Sequence, residues 1–293
     1  MKKIFTTLFC IAMAMVAWAQ TDVWVWKDGF ANKNVATDSV TFAEPASLGD
    51  ILVWKDNKST ALIATDSITF ATPYLENGYE YVDLGLTSGT KWATCNVGAA
   101  NPQDYGDYFA WGETATKSIY SWNTYLDGNI TGPDDSGTGK DALNGVTDIA
   151  GTQYDAATAN WGGKWRIPTK AQQDELRSEC YFVWTSDYKG SNVKGYIVYK
   201  AKADEDKGVR IFKNGTPSAS YSLSDAHVFL PVAGYRSDGD ILEAGSCCYY
   251  WASSLHIGSP EDAWGVYIDS NFLGVSDSNR YYGQSVRAVI PAE

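Results

Sequence analysis

The chain has 293 residues, with 23 lysines and arginines against 35 aspartates and glutamates and a formal net charge of −12. That balance excludes nucleic acid and anionic membrane as partners, because phosphate surfaces need clustered basic side chains. With 12 Trp, 19 Tyr and 27 Gly and few charges, the composition points to a loop-rich, largely β body with aromatic rings inside and on display.

Residues 1–19 read as a signal peptide: Lys2 and Lys3, an apolar run from Ile4 to Val16, then Ala17-Trp18-Ala19 before Gln20. The apolar run is shorter than the about 20 residues of a membrane span. No small residues precede Cys10, so a lipoprotein site is not expected. Cleavage would leave 21 basic against 35 acidic residues, a net charge of −14, and four cysteines: Cys95, Cys180, Cys247 and Cys248. Four are too few for a disulfide scaffold. Cys95 and Cys180 are either one bridge or two buried thiols, and both readings stand.

Next comes an internal repeat. VWKDGFANKNVATDSVTFAEP (25–45) returns as VWKDNKSTALIATDSITFATP (53–73), 28 residues later and without a gap. Each unit reads as strand, turn and strand, giving β-hairpin repeats over 20–45 and 46–74 that act as a spacer. Single hairpins are marginal in water, so these two are expected to pack on each other or on the body.

A larger domain is expected over 75–293, opening with two strands around a Ser-Gly turn in 80–99. GPDDSGTGKDALNG (132–145) is a polar loop. Its SGTGKD lacks the first glycine of a phosphate loop and has Asp141 where Ser or Thr belongs, so no nucleotide site is assigned. Short helices are predicted over 155–163, ending at glycine, and over 166–180. In the second, Thr169 is the N-cap, Gln172 closes a capping box and Pro168 fixes the start. Strands follow at 195–201, 209–215, 227–236, 249–255, 262–269 and 284–290. The last three are expected in one antiparallel sheet, with Trp251, Trp264, Val266 and Val286 facing the core.

His227 and His256 are the only histidines, and no G-x-S-x-G elbow occurs. The chain therefore does not read as an enzyme, and no cofactor is called for. The acidic pairs Asp134-Asp135 and Glu261-Asp262 read as solvated loops, with calcium as the open alternative.

YVDLGLTSGTKWATCNVGA, YGDYFAWGET, DAATANWGGKWRIPT, LPVAGYR, YYWASS and NRYYGQSVRAV occur in this order between Tyr81 and Val289. Together they resemble the Fibrobacter succinogenes major paralogous domain family of exported Bacteroidetes proteins. That family is similar in fold to C-type lectin-like domains and to the formylglycine-generating enzyme. The resemblance implies an α+β fold: a small twisted antiparallel sheet, two short helices and long loops. The chain departs from both activities. It has SVRAV where the enzymes have a C-terminal Arg-Cys, and neither the Glu-Pro-Asn or Gln-Pro-Asp nor the Trp-Asn-Asp of sugar-binding lectins. The N-terminal units also resemble the short strand-turn-strand units of exported Bacteroidetes proteins. In that setting Ser39 and Ser67, within Asp-Ser-Val and Asp-Ser-Ile, resemble O-glycosylation acceptors; the alternative is an Asp-Ser turn opening a strand.

CCYYWASSLHIG (247–258) is then expected to serve display. Some family members with an Asn-rich version of this stretch resemble the variable proteins of diversity-generating retroelements. In AWGVYID, alternation puts Trp264, Val266 and Ile268 on a core row and Gly265, Tyr267 and Asp269 on the opposite one. Cys247, Cys248, His256, Ile257, Gly265, Tyr267, Asp269, Phe272 and Tyr282 are expected to gather on one exposed ligand-contact face. Tyr267, Phe272 and Tyr282 would be its anchors. The expected protein is an exported, monomeric, non-enzymatic module, periplasmic or at the cell surface, binding a protein or glycan. The rivals are a structural cell-envelope protein without a specific ligand and a degenerate enzyme of the formylglycine-generating type.

Overall fold

A computed structural model describes strand residues 21–27, 30–37, 39–42, 51–55, 58–62 and 67–69, together with residues 74–128, 143, 145–208 and 217–292. The expected leader at 1–19, most of the loop over 132–145 and the expected strand over 209–215 lie outside these residues. The chain divides into two compact units, 1–73 and 74–293.

In the first unit each repeat contributes three strands, not two: β1 (Thr21–Lys27), β2 (Phe30–Thr37) and β3 (Ser39–Phe42), then β4 (Ile51–Lys55), β5 (Lys58–Leu62) and β6 (Ser67–Thr69). The third strands are exchanged. β6 pairs with β1, placing Ile68 opposite Val25, and β3 pairs with β4, placing Val40 opposite Val53. The sheets therefore run β2-β1-β6 and β3-β4-β5. The two expected hairpins are present as β1–β2 and β4–β5, and each repeat adds a third strand to the other's hairpin. A lone hairpin leaves both edges open, and a strand from the other repeat closes one edge of each. Ser39 opens β3 and Ser67 opens β6. Because the units are separately compact, a chain beginning at Tyr74 is expected to unfold in one cooperative transition; non-coincident fluorescence and circular-dichroism transitions would disprove this.

The second unit mixes few helices with several small antiparallel sheets. One sheet joins β7 (Leu75–Glu76), β8 (Tyr79–Val82) and β9 (Lys91–Ala93) to β18 (Val289–Ile290) near the C-terminus. α1 (Ala156–Trp161) is capped by Asp155 and closes at Gly162, whose N–H bonds the Thr158 carbonyl. α2 (Lys170–Glu179) carries the expected capping box between Thr169 and Gln172. β10 (Cys180–Thr185), β11 (Gly195–Lys200) and β12 (His227–Pro231) make the next sheet. The hairpin of β13 (Tyr235–Ser237) and β14 (Asp240–Leu242) follows. The last sheet is β15 (Cys247–Leu255), β16 (Asp262–Asp269) and β17 (Leu273–Asn279).

The 284–290 segment does not join that last sheet, contrary to expectation. Ser285 bridges Tyr250 in parallel, and Val289–Ile290 then pairs with β9. The segment is a tie between layers rather than an edge strand. β17, with its weakly alternating LGVSDSN, occupies the place instead.

Two main cores hold the unit. The first includes Phe109, Trp111, Trp165, Trp251 and Val286. Trp111 and Trp251 are cross-tied: the Trp111 indole N–H donates to the Ala252 carbonyl at 2.9 Å, and that of Trp251 to the Phe109 carbonyl at 2.8 Å. Burying such rings stabilises by about 2–3 kcal/mol each, provided the N–H is paired. The second core lies between the β10–β12 and β15–β17 sheets, with Phe182, Tyr196 and Val198 facing Cys248, Tyr250 and Ile268. The expected core row therefore splits. Trp251 and Val286 belong to the first core and Val266 packs against the second. Trp264 is only half-buried, its ring against His256 at 4.4 Å and under the Lys170 ammonium at 5.1 Å. All four described cysteines are free thiols, so Cys95 and Cys180 are not bridged.

Candidate binding face

β15 and β16 pair so that Cys247 lies opposite Asp269, Tyr249 opposite Tyr267 and Trp251 opposite Gly265. Those six positions share one face. The alternate pairs, Cys248 with Ile268 and Tyr250 with Val266, point into the second core. The sequence alternation thus holds along β16, but the first face is open only at one end. At Trp251 the strand is bonded to Ser285 and its ring lies in the first core, so this end is covered. At Tyr249 and Tyr267 the rings are half-exposed.

From there a continuous run of rings crosses the surface. Phe272 lies 6.0 Å from Tyr267, Tyr267 4.9 Å from Tyr249, and Tyr249 5.0 Å from Tyr235. Tyr235 meets Tyr282 at 5.2 Å, Tyr282 meets Tyr281 at 4.5 Å, and Tyr281 meets Trp122 at 5.1 Å. The Tyr235 contacts are near-perpendicular, the edge-to-face arrangement that ring quadrupoles favour. Every ring but one is half-buried; Phe272 is 44% exposed. Leu242, paired with Tyr235 across the hairpin, adds an exposed apolar side chain.

Asp269 orients one end of the ridge. Its carboxylate accepts the N–H groups of Asn271 at 2.6 Å and Phe272 at 2.7 Å, and the Tyr267 hydroxyl at 2.9 Å. Burial pushes this carboxyl up, but those hydrogen bonds outweigh it and hold it below its ordinary range. The turn they close carries Phe272.

Four expected contact residues add nothing to the exposed surface of the ridge. Cys247 and Cys248 are buried, pointing to opposite faces. Burial, reinforced by a 2.6 Å hydrogen bond from Sγ to the Glu243 carboxylate, pushes the Cys247 thiol up to about 12. Burial likewise raises Cys248 well above the ordinary thiol range. Both stay protonated and unreactive. His256 and Ile257 follow β15 at the Leu255–Ala263 end, opposite the Cys247–Asp269 end. Ile257 is 78% exposed but stands apart from the ridge.

Gly265 is buried, contrary to the display expectation. A Cβ there would lie 2.7 Å from the Tyr250 carbonyl oxygen, so only glycine fits the close strand approach. Gly265→Ala is expected to push β16 off β15 and cost about 1–3 kcal/mol, read by denaturant unfolding. An unchanged midpoint would mean the position tolerates variation after all. Of the nine expected residues, the structure gathers Tyr267, Asp269, Phe272 and Tyr282. Tyr235, Tyr249, Tyr281 and Trp122 were missed. Period two in CCYYWASS points Tyr249 the same way as Cys247, but the other three are joined only by the fold.

A separate cleft of about 590 Å³ opens on the outer face of the β10–β12 sheet, beside Glu80, Tyr188, Lys189 and His227. Tyr188 stacks on Phe229 at 4.0 Å, and its hydroxyl lies 3.0 Å from His227 Nε2. With Nδ1–H donating to the Asp225 carbonyl at 2.7 Å, Nε2 is the acceptor. Burial lowers the His227 pKa and raises that of Glu80. None of the nine expected residues lines this cleft.

Among the described residues, no group of three or more His, Cys, Asp or Glu side chains converges as a metal cage. No helix among them is long and apolar enough to cross a membrane. Compared with known proteins, the chain matches no family model, no curated protein and no solved structure.

Proposed function

We propose that the protein is an exported, non-enzymatic binding module that holds a partner protein on the aromatic ridge of its 74–293 unit. The unit is read as a C-type lectin-like domain of the Fibrobacter succinogenes major paralogous type, on the six ordered motifs quoted above. The observation that carries the function is the ring run from Phe272 to Trp122, gathered from five separate stretches of chain. Half-exposed tyrosines bring large area at low entropic loss, and partner surfaces concentrate their binding energy in such rings. Scattered exposed apolar residues are ordinary, whereas a contiguous run of this kind marks a contact surface. The unreactive thiols favour binding over nucleophilic catalysis. In a diversified version of the stretch, the exchangeable positions would be Tyr267, Phe272 and Tyr282, because Cys247, Cys248 and Gly265 are packed.

Panning a random peptide library displayed on phage against the full chain tests the ridge. Enriched clones are expected to lose binding by about tenfold or more against the joint Tyr267→Ser, Phe272→Ser and Tyr282→Ser variant. Its melting temperature is expected to fall by no more than about 4 °C, as for surface changes. Clones that bind wild type and variant equally would defeat the ridge as the site.

A further inference from the structure

The charges around the ridge say what kind of partner it fits. After Lys213 the chain has no lysine, and its remaining arginines are Arg236, Arg280 and Arg287; near the Trp122 end, the Lys117 ammonium is already bonded to the Glu113 carboxylate and the Thr124 carbonyl. None is presented to a partner. Arg287 is buried among backbone carbonyls, and Arg280 is buried with its guanidinium 5.8 Å from the Trp111 ring and 5.5 Å from Tyr125. Arg236 is half-buried, 5.6 Å over the Tyr120 ring. Carboxylates, by contrast, stand on the segments that carry the rings. Asp238, Asp240 and Glu243 are exposed on and after the β13–β14 hairpin that carries Tyr235. Glu243 accepts a hydrogen bond from the Cys247 thiol, which shares a strand face with Tyr249 and Tyr267, and Asp269 accepts one from the Tyr267 hydroxyl.

Resting on the ridge as the binding site, we infer that its occupant is an arginine-bearing basic segment of a partner protein. A guanidinium can stack on a tyrosine face while its N–H groups pair with a neighbouring carboxylate. A lysine ammonium is more strongly hydrated and gains less from the ring. The carboxylates would steer such a segment to the ridge and repel acidic surfaces, so the contact is selective as well as fast. A neutral ligand such as a glycan would gain no electrostatic steering from these carboxylates.

The test is fluorescence anisotropy of labelled oligo-arginine, oligo-lysine and oligo-glutamate peptides of equal length with the full chain, at about 150 mM salt. Oligo-arginine is expected to bind about fivefold or more tighter than oligo-lysine, and oligo-glutamate not at all. Joint Asp238→Asn, Asp240→Asn and Glu243→Gln is expected to weaken oligo-arginine about tenfold. Asp83→Asn, Asp204→Asn and Glu205→Gln, an equal charge change at exposed sites elsewhere, is expected to weaken it less than about twofold. Equal affinity for arginine and lysine, or equal loss from both triple variants, would reduce the effect to bulk charge and overturn the inference. If phage clones require Tyr267, Phe272 and Tyr282 yet carry no excess of arginine, the basic partner is wrong and the ridge stands. If the serine variant alters no probe, the ridge itself is wrong.

Discussion

Replacing Arg287 with alanine is expected to remove about 3–5 kcal/mol of stability, the cost of breaking up a buried charged network. The residue is 1% exposed, and its guanidinium ties three distant pieces of the second unit together. Nε donates to Asn96 Oδ1 at 2.9 Å, Nη1 to the Ala93 carbonyl at 3.1 Å and the Thr94 carbonyl at 2.6 Å, and Nη2 to the Phe229 carbonyl at 2.7 Å. Alanine leaves these acceptors buried without their donors, at about 1–3 kcal/mol for each one left unpaired, less whatever water enters the space. Against a typical total of about 5–15 kcal/mol, such a loss is large. For a unit of this size it corresponds to a fall of about 10 °C or more in melting temperature. Arg287→Lys keeps the charge but not the planar fork, so it is expected to recover only a small part. A lysine variant with a wild-type denaturation midpoint would show that charge, not the four-bond geometry, is what matters. The same residue explains SVRAV in physical terms. The arginine sits in the tie between layers, where side-chain donors substitute for a missing strand ladder.

Asp155→Ala is the second change expected to act strongly, by about 3–5 kcal/mol. The carboxylate is buried and accepts four backbone N–H groups. Oδ1 takes those of Ala157 at 2.8 Å and Thr158 at 3.1 Å, the capping bonds of α1. Oδ2 takes that of Gly151 at 2.8 Å, and Ile167 bonds both oxygens at 3.2 and 3.1 Å. Loss of the cap accounts for about 1–2 kcal/mol. The buried N–H groups of Gly151 and Ile167 then add about 1–3 kcal/mol each, less any water that enters. Asp155→Asn, with one acceptor oxygen, is expected to fall between wild type and alanine in a denaturant titration. An alanine variant losing under about 1 kcal/mol would mean that the loop before α1 is held by other contacts.

What could be read without coordinates was whatever obeys a short-range rule. The capping box at Thr169 and Gln172 lies within one helical turn, and it forms as expected. The two-residue alternation of AWGVYID assigns Ile268 and Tyr267 to opposite sides of β16, and it holds. The repeat announced itself by identity alone. Beyond the reach of such rules, long-range packing decided the outcome. Alternation says that Gly265 and Tyr267 share a face, but not that the Ser285 tie and the Trp251 ring cover one end and leave the other open. Cys247 and Cys248 look anomalous in sequence and are ordinary packed thiols in the fold, because burial is set by segments far away in the chain. The exchanged strands β3 and β6 follow from the need to close open edges, which no single repeat reveals. The ridge shows the division most directly. Tyr267, Phe272 and Tyr282 were legible as exposed aromatics near a strand. Tyr235 and Trp122 join them because the chain brings a hairpin and the 3-10 helix Trp122–Gly128 alongside, and ring contact at about 5 Å is a property of tertiary packing rather than of any local pattern.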